Sequence, residues 1–242
     1  MITDMKTLTL VIPCCNESRR IDQTAFLRAV EKWLWLSFCF VDDGSTDSTA
    51  ETLTRLSDLS PSFHTIRLSS NKGKAEAVRT GVRYLCENPS SDYIGFWDAD
   101  LATPLEEIPR FMRIFEDFPQ TRVVIGSRWP YLGASIKRTP CRGFASFIAN
   151  SIIRFALKTY IWDTQCGAKI FSRDIAGEIF EQPFRTRWLF DVELLARLGK
   201  RLGLIVREYP LPEWSDIPGS KVGFRTFVEL LSLPFVLRRN AR

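Results

Sequence analysis

Histidine is scarce in this chain, and cysteine follows no functional spacing. His64 is the only histidine among the 242 residues, and it lies in a strand-like segment with no catalytic partner beside it in the sequence. We therefore interpret His64 as structural and do not predict histidine-based catalysis. The six cysteines match no metal-binding or redox pattern, and Cys39 and Cys86 fit the role of small core side chains. A reduced, cytoplasmic setting is expected.

Long apolar runs are also missing. The most apolar stretch, residues 33–41, is far shorter than the ~20 residues needed to span a bilayer. Residues 1–6 lead directly into a strand and do not resemble a signal peptide. Residues 222–238 are crowded with phenylalanine and leucine but are interrupted by Pro234, so we expect them to pack on the core or lie at an interface.

Basic tracts with interleaved aromatic residues are absent too, so no nucleic-acid partner is predicted. The net charge of +5 and the pI near 9.0 instead fit a protein that handles anionic substrates or contacts an anionic membrane surface. The chain is 45% hydrophobic and 25% charged, with no linker or repeat. Residues 1–242 are therefore predicted to form one domain with a substantial core.

Strand-like and helix-like segments alternate along the first half of the chain. Short apolar runs predict strands at residues 8–12, 38–41, 63–68, 93–97 and 123–125. Helical spacing predicts four helices between them, with apolar faces at Leu27, Val30 and Leu34, at Leu53 and Leu56, at Ala75, Val78, Val82 and Leu85, and at Ile108, Phe111 and Phe115. Apolar strands that alternate with helices favour a mostly parallel, Rossmann-like α/β sheet with helices on both faces.

The rhythm changes after Arg128. An amphipathic helix is predicted over residues 142–160 and a short strand over residues 168–171. A further helix through residues 188–198 and a strand at residues 204–206 are expected to follow. We expect this half to shape the binding site for a second substrate.

Polar residues follow three of the predicted strands, where ligands bind in parallel sheets. They occupy residues 13–17, 42–45 and 98–100, and Pro13 is expected to end the first strand. Asp98 and Asp100 would point to the same side if the strand stays extended. Two carboxylates suit Mg²⁺ or Mn²⁺, which complete their coordination with water and substrate phosphates. The alternative is that the pair only caps a turn.

Residues 71–74 are predicted to open a helix with two lysines. Exposed N–H groups, the helix dipole and the side chain of Lys74 together form an anion-binding position. A solvated lysine face is the structural alternative.

Seven short motifs resemble those of the family 2 inverting glycosyltransferases and occur in the same order. Four of them are VIPCCNE at 11–17, VDDGSTD at 41–47, NKGK at 71–74 and DAD at 98–100. The others are similar to the subgroup that glucosylates dolichyl or other polyprenyl phosphates: DTQCGAK at 163–169, RWLFDVE at 187–193 and GSK at 219–221. The resemblance spans about residues 8–222.

The resemblance implies a single GT-A-type domain with a nucleotide-sugar half at about 1–127 and an acceptor half at about 128–242. Pro13, Glu17 and Asp42 would contact the ribose or the base, although residues 42–47 also suit helix capping. Lys74 and Lys221 would bind the diphosphate, and Asp98 and Asp100 the metal. The sugar pocket would be lined by Asp163, Gln165 and Lys169.

The same resemblance assigns an acceptor site. In the related dolichyl-phosphate mannose synthases two arginines at the separation of Arg128 and Arg142 hold the lipid phosphate, and guanidinium groups match phosphate oxygens. Arg138 competes with Arg142 for the second place. Asp191 occupies the position of the catalytic base in relatives with hydroxyl acceptors. A phosphate acceptor needs no base, and Asp191 is then expected to bind sugar hydroxyls or orient an arginine.

Two departures from the family pattern carry information. Cys15 stands where the pattern has an aromatic residue, which removes the expected base stacking. Ala102 stands where mannose-transferring relatives often place a glutamine ligand, and this fits the glucose-transferring subgroup better.

The predicted activity is transfer of a sugar, glucose from UDP-glucose, to a polyprenyl or dolichyl phosphate at the cytoplasmic face of a membrane, with peripheral membrane contact. One alternative is a family 2 enzyme that uses a hydroxyl acceptor with Asp191 as base. A sugar-phosphate nucleotidyltransferase would share the sheet, but residues 13–17 lack the glycine-rich loop of that class. A non-catalytic nucleotide-binding module is the last alternative, and it would not need Asp191 or the arginine pair.

Overall fold

The structure, a computed structural model, describes residues 6–137, 140–186 and 189–215, without the side chains of residues 140–146. The chain divides into two compact units. The first unit comprises Met1–Leu101 and Ala168–Pro183, and the second comprises Ala102–Gly167 and Phe184–Arg242. The predicted division into a donor half and an acceptor half concerns ligands and stays a prediction.

The described residues form nine strands: β1 Leu8–Cys14, β2 Leu36–Asp42, β3 Phe63–Arg67, β4 Tyr93–Trp97, β5 Val123–Ser127, β6 Ser135–Lys137, β7 Ala168–Ser172, β8 Val206–Pro210 and β9 Glu213–Ser215. They also form eight α-helices: α1 Gln23–Lys32, α2 Thr49–Leu59, α3 Lys74–Glu87, α4 Ile108–Asp117, α5 Pro140–Leu157, α6 Arg173–Ile179, α7 Phe190–Arg197 and α8 Leu202–Ile205. None of the described helices is both long and apolar enough to cross a bilayer.

The sheet of the first unit has the strand order β3-β2-β1-β4-β7. The first four strands are parallel, and β7 runs antiparallel to β4. Gly81 allows close packing of α3 on this sheet, because a Cβ there would lie 2.6 Å from a methyl group of Val11. The predicted buried face of α3 is confirmed at Ala75, Val78, Val82 and Leu85.

Two local predictions in this unit are wrong. Pro13 does not end β1, because β1 pairs with β2 as far as Cys14. Pairing with β4 stops at Val11, so Pro13 lies where β1 has one neighbour and a missing N–H is better tolerated. Leu34 is not on the first helix: α1 ends at Lys32, and Leu34 is 86% exposed.

In the second unit β5 and β8 form a parallel pair, with Ile125 opposite Glu208. The strand predicted at residues 204–206 is wrong, since residues 202–205 form the helical turn α8 and the strand begins at Val206. A short apolar run does not by itself distinguish a helical turn from a strand. The predicted amphipathic helix corresponds to α5. The predicted α/β class, with mostly parallel strands and flanking helices, is confirmed.

Candidate active site

Asp98 and Asp100 lie in a tight turn directly after β4. The N–H of Leu101 donates to the carbonyl of Asp98 at 3.2 Å, and Leu101 has a positive φ of 51°. The chain has therefore left the extended conformation, and the geometric reason for placing both carboxylates on one side of a strand does not hold. Both residues are partly exposed, as a ligand-binding position requires.

Lys74, the first residue of α3, reaches this turn. Its Nζ lies 2.5 Å from Asp98 Oδ1 and 6.0 Å from the centre of the Phe96 ring. Lys169 is fully buried in β7 opposite Phe96, with its Nζ 5.3 Å from the same ring. The fold of the first unit thus gathers two lysines around Phe96, next to Asp98.

Asp43 shapes the start of α3. Its two oxygens accept hydrogen bonds from the backbone N–H groups of Lys72 at 2.7 Å and Gly73 at 2.8 Å. These N–H groups, which were expected to bind a ligand anion, therefore already hold a carboxylate of the chain. Gly44 allows the backbone of Ser70 to lie close to this segment. Gly44 has a φ of 62°, and a Cβ there would lie 2.5 Å from the Ser70 backbone. Asp43 belongs to the motif VDDGSTD at residues 41–47, but its sequence position predicted no role for it.

Asp42 is fully buried at the end of β2. Its Oδ1 accepts the N–H of Ser45 at 3.0 Å, and Arg67 Nε lies 3.5 Å from Oδ2. Oδ2 forms no hydrogen bond with any described residue. The N-cap of α2 is Ser48, whose side chain makes no capping hydrogen bond, while Asp47 just before it accepts the N–H of Thr49 at 3.0 Å. Burial by itself would raise the pKa of Asp47, but hydrogen bonds from Ser18 and Thr49 lower this pKa to about 2.

Glu17 is held by Arg20 through two hydrogen bonds, at 2.7 Å from Nε and 2.6 Å from Nη2. The hydrogen bond to Glu17 raises the pKa of Arg20 despite burial, and the charge of Asp100 adds to the increase. Arg20 therefore brings positive charge towards the turn after β4. It lies outside the quoted motifs, so the sequence offered no signal for it. Cys15 accepts a hydrogen bond from Asn71 Nδ2 at 3.0 Å.

In the second unit Arg128 and Asp163 form a bidentate pair. Arg128 Nε lies 2.6 Å from Oδ2 and Nη2 lies 2.8 Å from Oδ1, while the backbone N–H of Arg128 also donates to Oδ2 at 2.9 Å. The guanidinium lies 5.3 Å from the Trp214 ring. Arg128 and Asp163 were assigned to acceptor phosphate and to sugar respectively, and the structure joins them to each other.

Glu208 on β8 supports this pair. Its carboxylate accepts the N–H groups of Trp162 and Asp163, both at 2.8 Å. Burial raises the pKa of Glu208 in spite of these bonds. A lone glutamate in a short strand carries no sequence signal, so sequence reasoning missed it.

The remaining predicted residues are placed as follows. Gln165 donates its backbone N–H to Asp163 Oδ1 at 3.2 Å, and its buried Nε2 has no hydrogen-bond partner among the described residues. Asp191 is buried in the first turn of α7. Arg142 belongs to α5, but its side chain lies outside those described. Arg138 and Lys221 lie outside the described residues altogether.

The carboxylates after β4 are the candidate metal ligands. No group of three or more histidine, cysteine, aspartate or glutamate residues suited to a metal occurs within residues 6–137, 140–186 and 189–215. Mg²⁺ and Mn²⁺ fit a smaller set, because they are often held by one or two carboxylates together with substrate phosphates. Asp98 and Asp100 fit that set in number and in donor type.

Comparisons with known proteins agree with this picture. The model of the family described as glycosyl transferase family 2 matches residues 9–180. A dolichyl-phosphate beta-glucosyltransferase of Trichomonas vaginalis is 34% identical over 235 residues, which cover 92% of this chain and 68% of that protein. The corresponding enzyme of Saccharomyces cerevisiae is 31% identical, with 89% and 69% covered. The predicted resemblance is confirmed.

Among solved structures, the fold matches glucosyl-3-phosphoglycerate synthase from Mycobacterium tuberculosis in complex with Mn²⁺, UDP-glucose and phosphoglyceric acid. The TM-score is 0.72 at 17% identity, and the match covers 98% of this chain and 80% of that one. The predicted GT-A-type fold is confirmed.

Proposed function

Because this chain belongs to glycosyl transferase family 2, we propose that it transfers glucose from UDP-glucose to a polyprenyl or dolichyl phosphate, with inversion at the sugar carbon. The observation that carries the proposal is the charged cluster after β4, where Lys74 pairs with Asp98 beside Asp100. The names of the relatives support the acceptor, and the UDP-glucose complex of the structural relative supports the donor.

The donor is assigned to the first unit. Pro13, Glu17 and Asp42 line the carboxyl ends of β1 and β2, where a nucleoside would bind. Lys74 would contact the diphosphate. Mg²⁺ or Mn²⁺ held by Asp98 and Asp100 would offset the negative charge of the departing nucleotide. Lys169 is assigned to the sugar.

The acceptor phosphate is assigned to Arg128 and Arg142. Asp163 holds Arg128 in one orientation, and a fixed guanidinium binds a phosphate with little loss of side-chain entropy. Asp163 and Gln165 would border the sugar, and Lys221 would close on the diphosphate. The acceptor is already an anion at neutral pH, so Asp191 would bind sugar hydroxyls or orient an arginine. Catalysis then rests mainly on positioning and electrostatics.

A lipid acceptor also fits the surface of the second unit. Large apolar side chains are exposed along and after α5: Phe147, Ile148, Ile152, Phe155, Tyr160 and Trp162. Arg154 stacks on Trp162, with its guanidinium carbon 3.7 Å from the ring centre. Exposed apolar and aromatic residues mixed with basic ones are typical of contact with an anionic membrane surface. We place this contact at the cytoplasmic face.

The direct test offers the protein several radiolabelled nucleotide sugars together with a short-chain polyprenyl phosphate in detergent. We expect a labelled glucosyl lipid from UDP-glucose, and no product when EDTA removes divalent metal. Transfer to a soluble sugar without any labelled lipid would contradict the acceptor. Labelled lipid from a different nucleotide sugar alone would contradict the donor.

A hydroxyl acceptor remains the second candidate, because Asp191 is a buried carboxylate in the first turn of α7. A hydroxyl must lose a proton, so Asp191→Asn would then slow transfer by ~10²–10⁴-fold. With a phosphate acceptor we expect a much smaller loss, seen mainly in sugar binding. The rate of transfer by the variant, measured at several pH values, separates the two cases.

A further inference from the structure

Glu208 connects the two chain segments that carry the Arg128–Asp163 pair. Its Oε2 accepts the N–H of Trp162 and its Oε1 accepts the N–H of Asp163, each at 2.8 Å. Glu208 itself lies on β8, opposite Ile125 of β5. Because β5 ends at Ser127, directly before Arg128, Glu208 joins the strand that leads into Arg128 to the chain around Asp163.

The orientation of Arg128 depends on this arrangement. Asp163 accepts three hydrogen bonds from Arg128, one from the backbone and two from the guanidinium, at 2.6–2.9 Å. The direction of the guanidinium therefore follows the position of the Asp163 carboxylate. That position follows the Asp163 backbone, whose N–H is held by Glu208. Contacts behind a functional side chain commonly set its geometry in this way.

We infer that Glu208 is a positioning residue for Arg128 and acts through Asp163. This inference rests on the proposed function, in which Arg128 binds the acceptor phosphate. Glu208 sets how well Arg128 is aligned before the acceptor arrives, and so sets acceptor affinity without contacting the acceptor.

Glu107 provides a matched control in the same unit. Like the carboxylate of Glu208, that of Glu107 has two partners, here side chains: Tyr209 donates to its Oε2 at 2.7 Å, and Arg110 Nη1 lies 3.0 Å from Oε1. These partners are not members of the Arg128–Asp163 pair. Loss of this carboxylate tests the general cost of removing a buried acceptor.

The first measurement compares Glu208→Gln with Glu107→Gln. In Glu208→Gln one of the two backbone N–H groups loses its carboxylate oxygen. We expect the KM for a short-chain polyprenyl phosphate to rise about tenfold, the scale of a lost hydrogen bond to a charged group, with the KM for UDP-glucose unchanged. Glu107→Gln should lower the Tm but leave both KM values unchanged. A change in Tm alone for Glu208→Gln would overturn the inference.

A double-mutant cycle tests the route. If Glu208 acts through Asp163, the double variant Asp163→Asn/Glu208→Gln should have the same acceptor KM as Asp163→Asn alone, because the two losses remove one interaction. Additive losses would show that Glu208 acts independently and would overturn the inference. If Glu208→Gln fails to fold, Glu208→Asp enters the same cycle, since it keeps the charge but shortens the reach.

Arg128→Lys separates this inference from the proposed function. If that variant changes the KM of the donor and not of the acceptor, the proposed acceptor role of Arg128 is wrong. The inference then still requires Glu208→Gln to change the same donor constant. If Arg128→Lys raises the acceptor KM and Glu208→Gln does not, the inference is wrong and the proposed function stands.

Discussion

The two units each contain a cation–carboxylate pair formed by predicted site residues, and the pairs are built differently. Lys74 and Asp98 share a single hydrogen bond, with side chains 22% and 37% exposed. Arg128 and Asp163 share three hydrogen bonds, with side chains 15% and 3% exposed. The first pair can exchange partners with a ligand at low cost, because both groups remain near solvent. The second is costly to break, because it would leave a buried carboxylate without its partner.

This difference suggests a division of labour in the proposed reaction. In that proposal the exposed pair belongs to the donor site, where a diphosphate and a metal would enter and leave. The buried pair is assigned to the acceptor site, and Glu208 supports that pair by accepting the N–H groups of Trp162 and Asp163. Variants of the exposed pair should therefore change use of the donor and have little effect on stability. Variants of the buried pair should change use of the acceptor and also lower stability.

The largest effect is expected at the exposed site. Asp100→Ala should reduce glucose transfer by about 10³-fold or more, because the proposed metal loses a carboxylate ligand. The Tm should change little, since Asp100 is partly exposed in a turn. Transfer of radiolabelled glucose and thermal unfolding measure the two quantities. Asp117→Ala, an exposed aspartate at the end of α4, is the control and should keep full activity. Full activity of Asp100→Ala, or of the wild type in EDTA, would rule out the metal role.

The second variant acts on the buried pair. Arg128→Lys keeps the charge but loses the planar fork, so acceptor kcat/KM should fall about 10²-fold and the Tm should also fall. Binding of nucleotide sugar, measured by calorimetry, should be unchanged. The control is Arg110→Lys, an exposed arginine of α4 that pairs with Glu107. Equal losses of donor and acceptor binding would move Arg128 to the donor site.

A smaller effect is expected at the exposed apolar surface near α5. Phe155 is 87% exposed there, and Phe155→Glu should weaken binding to vesicles with anionic lipids about tenfold. Leu204→Glu is the matched control, because Leu204 is 74% exposed but lies on α8. Co-sedimentation at two salt concentrations measures both, and binding should weaken as salt screens the basic residues. Equal losses in the two variants would show that the surface near α5 has no special role.

The smallest effect concerns pH and Glu208. Burial raises the pKa of Glu208, so the folded state binds its proton more tightly than the unfolded state does. The resulting stability is fully present below the ordinary carboxyl pKa of 4.5 and is lost as pH rises through the raised value. The Tm of the wild type relative to Glu208→Gln should therefore fall by about 2 °C or less over that range. A relative Tm that rises with pH would contradict the assigned direction.

Much of this protein followed from sequence alone. The parallel strands β1 to β4 were predictable because strands buried on both faces consist of continuous apolar runs. The helix α3 was predictable because its buried residues recur at helical spacing. Family membership followed from short motifs in a fixed order, and these lie where strands end and ligands bind. All three signals are local in the chain.

The tertiary structure decided which partners the predicted site residues have. Arg128 meets Asp163 across 35 positions, and Glu208 meets Asp163 across 45. Lys74 meets Asp98 across 24 positions, and Asp43 takes the N–H groups at the start of α3. Such partners are set by which strands become neighbours and by how closely helices pack on them. Residue type and spacing along the chain carry no record of that choice, because a carboxylate hydrogen-bonds with whichever donor the fold brings near.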